Sequence, residues 1–298
     1  MARVRVGVSG WTYEGWAGAF YPAPLANARR LEYASRAFGS IEVNATFYRL
    51  QRPETFADWR RRTGPDFVFA IKGSRFLTHN KKLGDVDAPL ANFFAQGLLR
   101  LEEKLGPILW QLPASARFDA DRLRTFIAAL PRDTAAAAKL ARGHDARLDG
   151  RAWTDIERKR RIRHAFEVRH PSFLDEEFVR IARDAGVAIV ASHARDWPYI
   201  EELTAGFVYV RLHGPGTLYA SGYAPRAIQC LASRILAWRA GGEPGDARRI
   251  TDRAPPARKG RDVYVYFDND QKALAPRDAR ALAAQLDLAH RLPDPAAL

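Results

Sequence analysis

The chain has 298 residues, 47% of them hydrophobic, and a formal net charge of +13, so it can bury a sizeable core as one large α/β domain or two small ones. A lone cysteine, Cys230, excludes an internal disulfide framework and any cysteine-based metal cluster. No apolar run reaches signal-peptide or membrane-spanning length, which predicts a soluble, cytoplasmic protein with no membrane partner.

Residues 4–9 alternate and end at Gly10-Trp11, a first strand and its turn. Leu31, Ala34 and Phe38 share a helical face across 30–38. Residues 40–46 read as a second strand with Glu42, Asn44 and Thr46 on one face. Pro53 opens a helix whose apolar side is Phe56 and Trp59. Strands three and four are predicted at 67–72 and 108–112, with a helix inside 90–105 between them and another over 119–130. The fifth strand, 163–170, puts Ala165, Glu167 and Arg169 on one face, so a carboxylate and a guanidinium point the same way. Ser172 with Asp175 three positions on has the form of a capping box opening a helix to about Asp184. Strands six, seven and eight are predicted at 187–192, 207–213 and 262–268. Ile228, Leu231, Ile235 and Trp238 mark a helix in which Cys230 reads as a buried thiol. A last helix spans about 276–288.

Eight strands alternating with helices predict an α/β fold, a closed (β/α)8 TIM barrel forming a single domain over 1–298. The excess length sits in two basic insertions, about 133–161 and 241–261, before strands five and eight. An open doubly wound sheet is the rival, but Gly7-Val8-Ser9-Gly10 lacks the dinucleotide-binding glycine spacing.

In such barrels chemistry sits where strands run out into the following loops. The predicted carboxyl ends deliver Ser9 and Trp11, Glu42 and Asn44 with Tyr48 beyond, Lys72, Gln111, Glu167 and Arg169, Ser192-His193, Arg211 and His213, then Asp268 and Asn269. The strand middles are apolar, and that gradient points to a ligand site. Glu42 and Glu167 have the residue type for a general acid/base pair, Lys72 for an anion contact or a desolvated amine, and His213 for a proton shuttle. Salt bridging among the same groups is the structural alternative. Gly214 and Gly216 lie in a glycine-rich loop after strand seven, where backbone N–H groups often cradle phosphate, and Arg211 stands beside it. Trp11, Trp16, Phe20 and Tyr21 form an aromatic patch suited to stacking on a ligand or to loop packing. His79, His144, His164 and His290 read as structural or exposed. Glu167, His193, His213 and Asp268 leave a divalent metal open, but no metal-binding motif is present, so no metal ligand is assigned; there is no organic cofactor motif either.

The segments Gly10-Trp11-x-Tyr13, Phe20-Tyr21-Pro22, Glu42-Val43-Asn44-Ala45-Thr46-Phe47-Tyr48, Lys72 with Thr78-His79, Gln111-Leu112-Pro113, Glu167-Val168-Arg169-His170, Arg211-Leu212-His213-Gly214 and Tyr266-Phe267-Asp268-Asn269-Asp270 together resemble the YecE-like family, domain of unknown function 72. The resemblance runs across nearly the whole chain. It implies a TIM barrel and no settled activity; likeness of the fold to endonuclease IV-like and xylose isomerase-like barrels implies phosphodiester or sugar chemistry by analogy alone.

The reading that follows is an enzyme, of hydrolase, lyase or isomerase type, acting on a small anionic or phosphorylated substrate. Lys72, Arg169, Arg211 and the Gly214–Gly216 loop would bind the anion, with Glu167 or Glu42 as base and His213 as acid. Trp11, Asn44, Tyr48, Gln111, Asp268 and Asn269 would complete the site. Nucleic-acid binding or processing through the basic insertions, and noncatalytic small-molecule binding, are the alternatives. The sequence leaves the oligomeric state open.

Overall fold

A computed structural model describes residues 2–288; His290 lies outside them. In chain order the elements are β1 (Val4–Ser9), α1 (Arg30–Ala37), β2 (Ser40–Val43), α2 (Ala45–Tyr48), α3 (Pro53–Arg61), β3 (Val68–Lys72), α4 (Asp87–Ala95), β4 (Leu105–Gln111), α5 (Ala120–Ala129) and α6 (Thr134–Ala141). They continue as β5 (His164–Glu167), α7 (Glu176–Ala185), β6 (Ala188–Ile189), β7 (Ala191–His193), β8 (Phe207–Leu212), α8 (Pro225–Arg239), β9 (Asp262–Phe267) and α9 (Leu274–Gln285). Helices separate the strands from β1 to β6 and again from β8 to β9, β6, β7 and β8 follow one another directly, and the named pairings are parallel. This is the TIM-like α/β barrel class that the sequence predicts.

The chain forms two compact units, Met1–Glu42 with Leu174–Leu298, and Val43–Phe173. In the first, β1 pairs with β2 and with β9, β9 with β8, and β8 with β7. Gly7 sits opposite both Ser40 and Tyr266; a Cβ there would stand 1.8 Å from the Ser40 carbonyl oxygen, so only glycine lets β1 lie in this register. In the second unit β3 pairs with β4 and β4 with β5. The strand interiors, such as Val68 to Ile71 and Ile108 to Trp110, are buried on both faces, as parallel strands covered by helices require.

Four local expectations are corrected. The second strand stops at Val43; Asn44 is already helical (φ −83°, ψ −21°) and α2 follows, so Asn44 and Thr46 do not continue the face of Glu42. Thr46 instead donates to the carbonyl oxygens of Val43 and Lys72, an alternative to ladder bonding open to short hydroxyl side chains. The cap of α7 is Asp175, which accepts from the Glu177 N–H, and not Ser172; Ser172 accepts from the Phe118 N–H at 2.8 Å, so that contact outcompetes the capping box. The sixth strand breaks at Val190 into β6 and β7, giving nine strands among the described residues where eight were expected. Cys230 is exposed, on the side of α8 away from the buried Ile228, Leu231, Ile235 and Trp238.

Both insertions are structured. The first carries α6, capped by Asp133, and its Trp153 N–H donates to the Ala95 carbonyl at 2.7 Å. Its basic run is partly matched: Lys159 reaches Asp133 at 3.2 Å and Arg160 reaches Glu157 at 3.3 Å. The second insertion is pinned by two buried carboxylates. Glu201 accepts from the Arg248 N–H at 3.0 Å and from Arg234. Glu202 accepts from the N–H groups of Ile250 and Thr251, from the Thr251 hydroxyl and from Arg183. Glu202→Ala would leave these donors unmet, and a loss of about 2 kcal/mol is expected. Urea melts measure the loss, and limited proteolysis should show new cleavage within 241–261; an unchanged digest would mean the loop is held otherwise.

Candidate functional site

The two units each gather polar side chains at strand ends. In the first unit the register places Ser9 beside Glu42, and Arg211 beside Tyr266. Two-residue periodicity carries the same face on to His213 and Asp268. Glu42, fully buried, accepts from the Ser9 hydroxyl, from the Tyr209 hydroxyl at 2.6 Å, and from Arg211 Nε at 3.1 Å and Nη2 at 2.8 Å. Arg211 Nη2 also donates to Asp268 Oδ2 at 2.7 Å. His213 stands next in the chain of contacts: its Nε2 is 3.4 Å from Arg211 Nη1 and its Nδ1 is 3.1 Å from Asp268 Oδ2. The guanidinium has only protons to give, so Nε2 accepts and the imidazole proton sits on Nδ1, facing Asp268. Burial, and then Glu42, push the Tyr209 phenol well above its ordinary range, so it stays a donor.

Beyond the strands, Gly214 adopts φ +101°, its N–H donates to the Tyr223 hydroxyl at 3.2 Å, and the Gly216 N–H donates to Ser221 Oγ at 2.9 Å. Both backbone donors are thus engaged inside the protein. Asn269 Nδ2 donates to the Ser221 carbonyl and to Asp278 Oδ2, tying the end of β9 to α9. The Trp11 carbonyl accepts from Tyr21. Trp16, Phe20 and Tyr21 are buried and packed on one another, with Trp16–Phe20 centroids 5.7 Å apart; here the aromatic patch is loop packing.

In the second unit the registers Lys72↔Leu109 and Gln111↔Glu167 put Lys72, Gln111 and Glu167 on one face at the carboxyl ends of β3, β4 and β5. All three are buried. Arg169 lies beyond β5, yet its Nη2 reaches Glu167 Oε1 at 3.2 Å, as the alternation predicts. Lys72 Nζ stands 4.4 Å above the Phe47 ring, and Phe47 packs on Tyr48, which is 67% exposed, and on His79.

His79 is the residue the sequence reading passed over. It sits in a π-helical turn, Phe76–Asn80, directly after β3; such turns recur at functional sites. Burial first, and then Arg169, Lys72 and Arg75, bring its pKa down to about 4. Its Nδ1 is 2.9 Å from Thr78 Oγ1, which itself donates to the Ser74 carbonyl. The imidazole proton is therefore on Nδ1, and Nε2 carries the lone pair. The signal available in the sequence was position: the first helical turn past a predicted strand end.

For a metal, Glu102, Glu103 and Glu157 bring three carboxylates within 4.8 Å of one another among the described residues. Arg60 already meets Glu102 at 2.8 Å and Glu103 at 3.1 Å, so this is surface charge pairing, and none of the predicted site residues belongs to it. Among the described residues no helix is long and apolar enough to cross a membrane.

Comparison with known proteins agrees with the fold. A DUF72 family protein of Thermotoga maritima has a similar structure, with a TM-score of 0.71 at 23% identity over 96% of this chain and 99% of that one. A DUF72 family protein of Enterococcus faecalis gives 0.66 at 13% identity, covering 96% of each. The UPF0759 protein YecE of Escherichia coli K12 is 28% identical over 112 residues, a match that spans 38% of each chain. The model of the family "Protein of unknown function DUF72" matches residues 5–297, and on that match the chain belongs to the DUF72 family.

Proposed function

We propose that the protein is an enzyme acting on a small anionic molecule by general acid/base chemistry, with the anion held in the second unit by Lys72, Arg75 and Arg169. The observation that carries this reading is the gathering of Lys72, Gln111 and Glu167 on one face at the strand ends, with Arg169 3.2 Å from Glu167 and with Lys72 and His79 packed on the same Phe47 ring; burial, and then Arg169, Lys72 and Arg75, lower the His79 pKa. Clustered cations that depress a neighbouring pKa also attract an anionic ligand. With a pKa of about 4, His79 is neutral near pH 7 and offers Nε2 as a base. Glu167, oriented by Arg169, is a second base. In the first unit both Glu42 oxygens are engaged by donors, so Glu42 orients Arg211, and His213 backed by Asp268 is the group able to carry a proton.

The test uses inorganic phosphate, calorimetry and an NMR titration of the His79 imidazole. Phosphate is expected to bind and to raise the His79 pKa, because an anion favours the imidazolium. Arg169→Met and Lys72→Met are each expected to weaken phosphate binding by at least about tenfold, the loss of one charge-assisted contact, and to raise the His79 pKa without ligand. An imidazole titration that phosphate leaves unmoved would overturn the anion site. Turnover of a bound compound then separates an enzyme from a binding protein.

A further inference from the structure

The second unit also contains a cleft of about 340 Å³ lined by residues of the π-turn, of the loop after β4 and of the start of α5. Its apolar wall includes the buried Leu112, Leu123 and Phe173 and the half-buried Phe118, whose ring centroid is 5.4 Å from that of Phe173. Its cations are Lys82, Arg117 and Arg122, against one carboxylate, Asp119. That carboxylate is occupied in capping α5, where it accepts from the Arg122 N–H at 3.0 Å. A cleft with an apolar wall and a net positive rim matches a molecule with an apolar body and negative charge.

Two contacts join this cleft to the anion position proposed above. Thr78 lines the cleft and its Oγ1 lies 2.9 Å from His79 Nδ1. Leu112, on the wall, follows Gln111 and donates its N–H to the Glu167 carbonyl at 2.9 Å. The chain bordering the cleft is also held in an uncommon backbone conformation: Lys82 and Leu83 have φ of 48° and 69°. A leucine in the left-handed region persists only where its surroundings fix it, and here the Leu83 side chain is buried and lines the cleft.

We infer that the substrate is an amphipathic anion, whose apolar or aromatic body lies in this cleft while its charge lies beside His79; the inference rests on the anion site proposed above. The probes are 1-naphthyl phosphate and inorganic phosphate, measured by calorimetry on the full chain. The aryl ester is expected to bind at least tenfold more tightly than inorganic phosphate. Ala116 lines the cleft and is only half-buried, so Ala116→Phe should fill the cleft while leaving the fold intact. That variant is expected to erase the aryl advantage and to leave inorganic phosphate binding unchanged. Lys82→Ser with Arg117→Ser, both at exposed positions, is expected to weaken the aryl ester selectively. Equal affinities for the two probes, or an aryl advantage that survives Ala116→Phe, would overturn the cleft assignment. The His79 titration reads the anion site separately, so naphthyl phosphate that binds in an Ala116-dependent manner without moving His79 would retain the cleft as a binding site and overturn its link to His79.

Discussion

Arg211→Met is expected to lower the stability of the protein by about 3–5 kcal/mol, because it strands buried charge. Arg211 is fully buried and donates to Glu42 at 2.8 and 3.1 Å and to Asp268 at 2.7 Å. Methionine matches its length and apolar stem but removes every donor, leaving Glu42 with hydroxyl partners only and Asp268 with His213. Glu42→Gln is expected to cost less, since Arg211 keeps Asp268. The double variant Glu42→Met, Arg211→Met should recover part of the single-variant loss, because neither charge is then buried without the other. Urea melts with unchanged m-values measure all three. A loss for Arg211→Met below about 1 kcal/mol would show that water replaces the guanidinium, the behaviour of an open site and not of a packed network.

Acidification from pH 6.5 towards pH 4 is expected to destabilise the fold, with His164 the largest histidine contribution. His164, the first residue of β5, is fully buried between β4 and the turn that follows α5, where Nδ1 accepts from Trp110 Nε1 at 3.2 Å and Nε2 donates to the Pro131 carbonyl at 2.8 Å. Both ring nitrogens are satisfied by the neutral tautomer, and a second proton would face the Trp110 N–H. Burial, with a smaller push from Arg132, brings the pKa from 6.5 to about 4. The sign follows from linkage. Above pH 6.5 the imidazole is neutral in both states and contributes nothing. Between 6.5 and 4 the unfolded chain takes up a proton that the folded chain refuses, so stability falls. Below 4 both states are protonated and the loss levels off at about 3 kcal/mol. His79 works in the same direction over the same window, reduced by its greater exposure. His164→Gln keeps a donor for the Pro131 carbonyl and removes the titration. Its stability–pH curve should run flatter than that of the parent between pH 6.5 and 4, and parallel curves would sink the assignment.

The succession of strands and helices was legible in the sequence because it is a local property. Short apolar runs rich in β-branched and aromatic residues, such as Val68 to Ile71 and Val263 to Phe267, read as buried strands, and the helical spacing of Ile228, Leu231, Ile235 and Trp238 reads as one face packed against a core. The Glu167–Arg169 pair was legible for the same reason, since two-residue alternation puts both on one side whatever lies around them. Boundaries were not local. Asn44 and Thr46 continue the alternation of β2, yet the chain turns into α2 because the Thr46 hydroxyl finds the Lys72 carbonyl, a partner 26 positions away. Ser172 has the spacing of a cap but bonds the Phe118 N–H instead. The site divides along the same line. Predicted strand ends named Glu42, Arg211 and Asp268, but only the register of β1, β2, β8 and β9 closes them into one buried network in which Glu42 accepts from Ser9, Tyr209 and Arg211. His79 was legible only in part: Lys72 and Arg75 lie close to it in the sequence, but its neighbours from the strands beyond β3 do not. The lowering of its pKa comes first from burial and then from Arg169, 90 residues further along, whose charge reaches the imidazole only once β3 and β5 stand on either side of β4, with Lys72 and Arg75 adding to it.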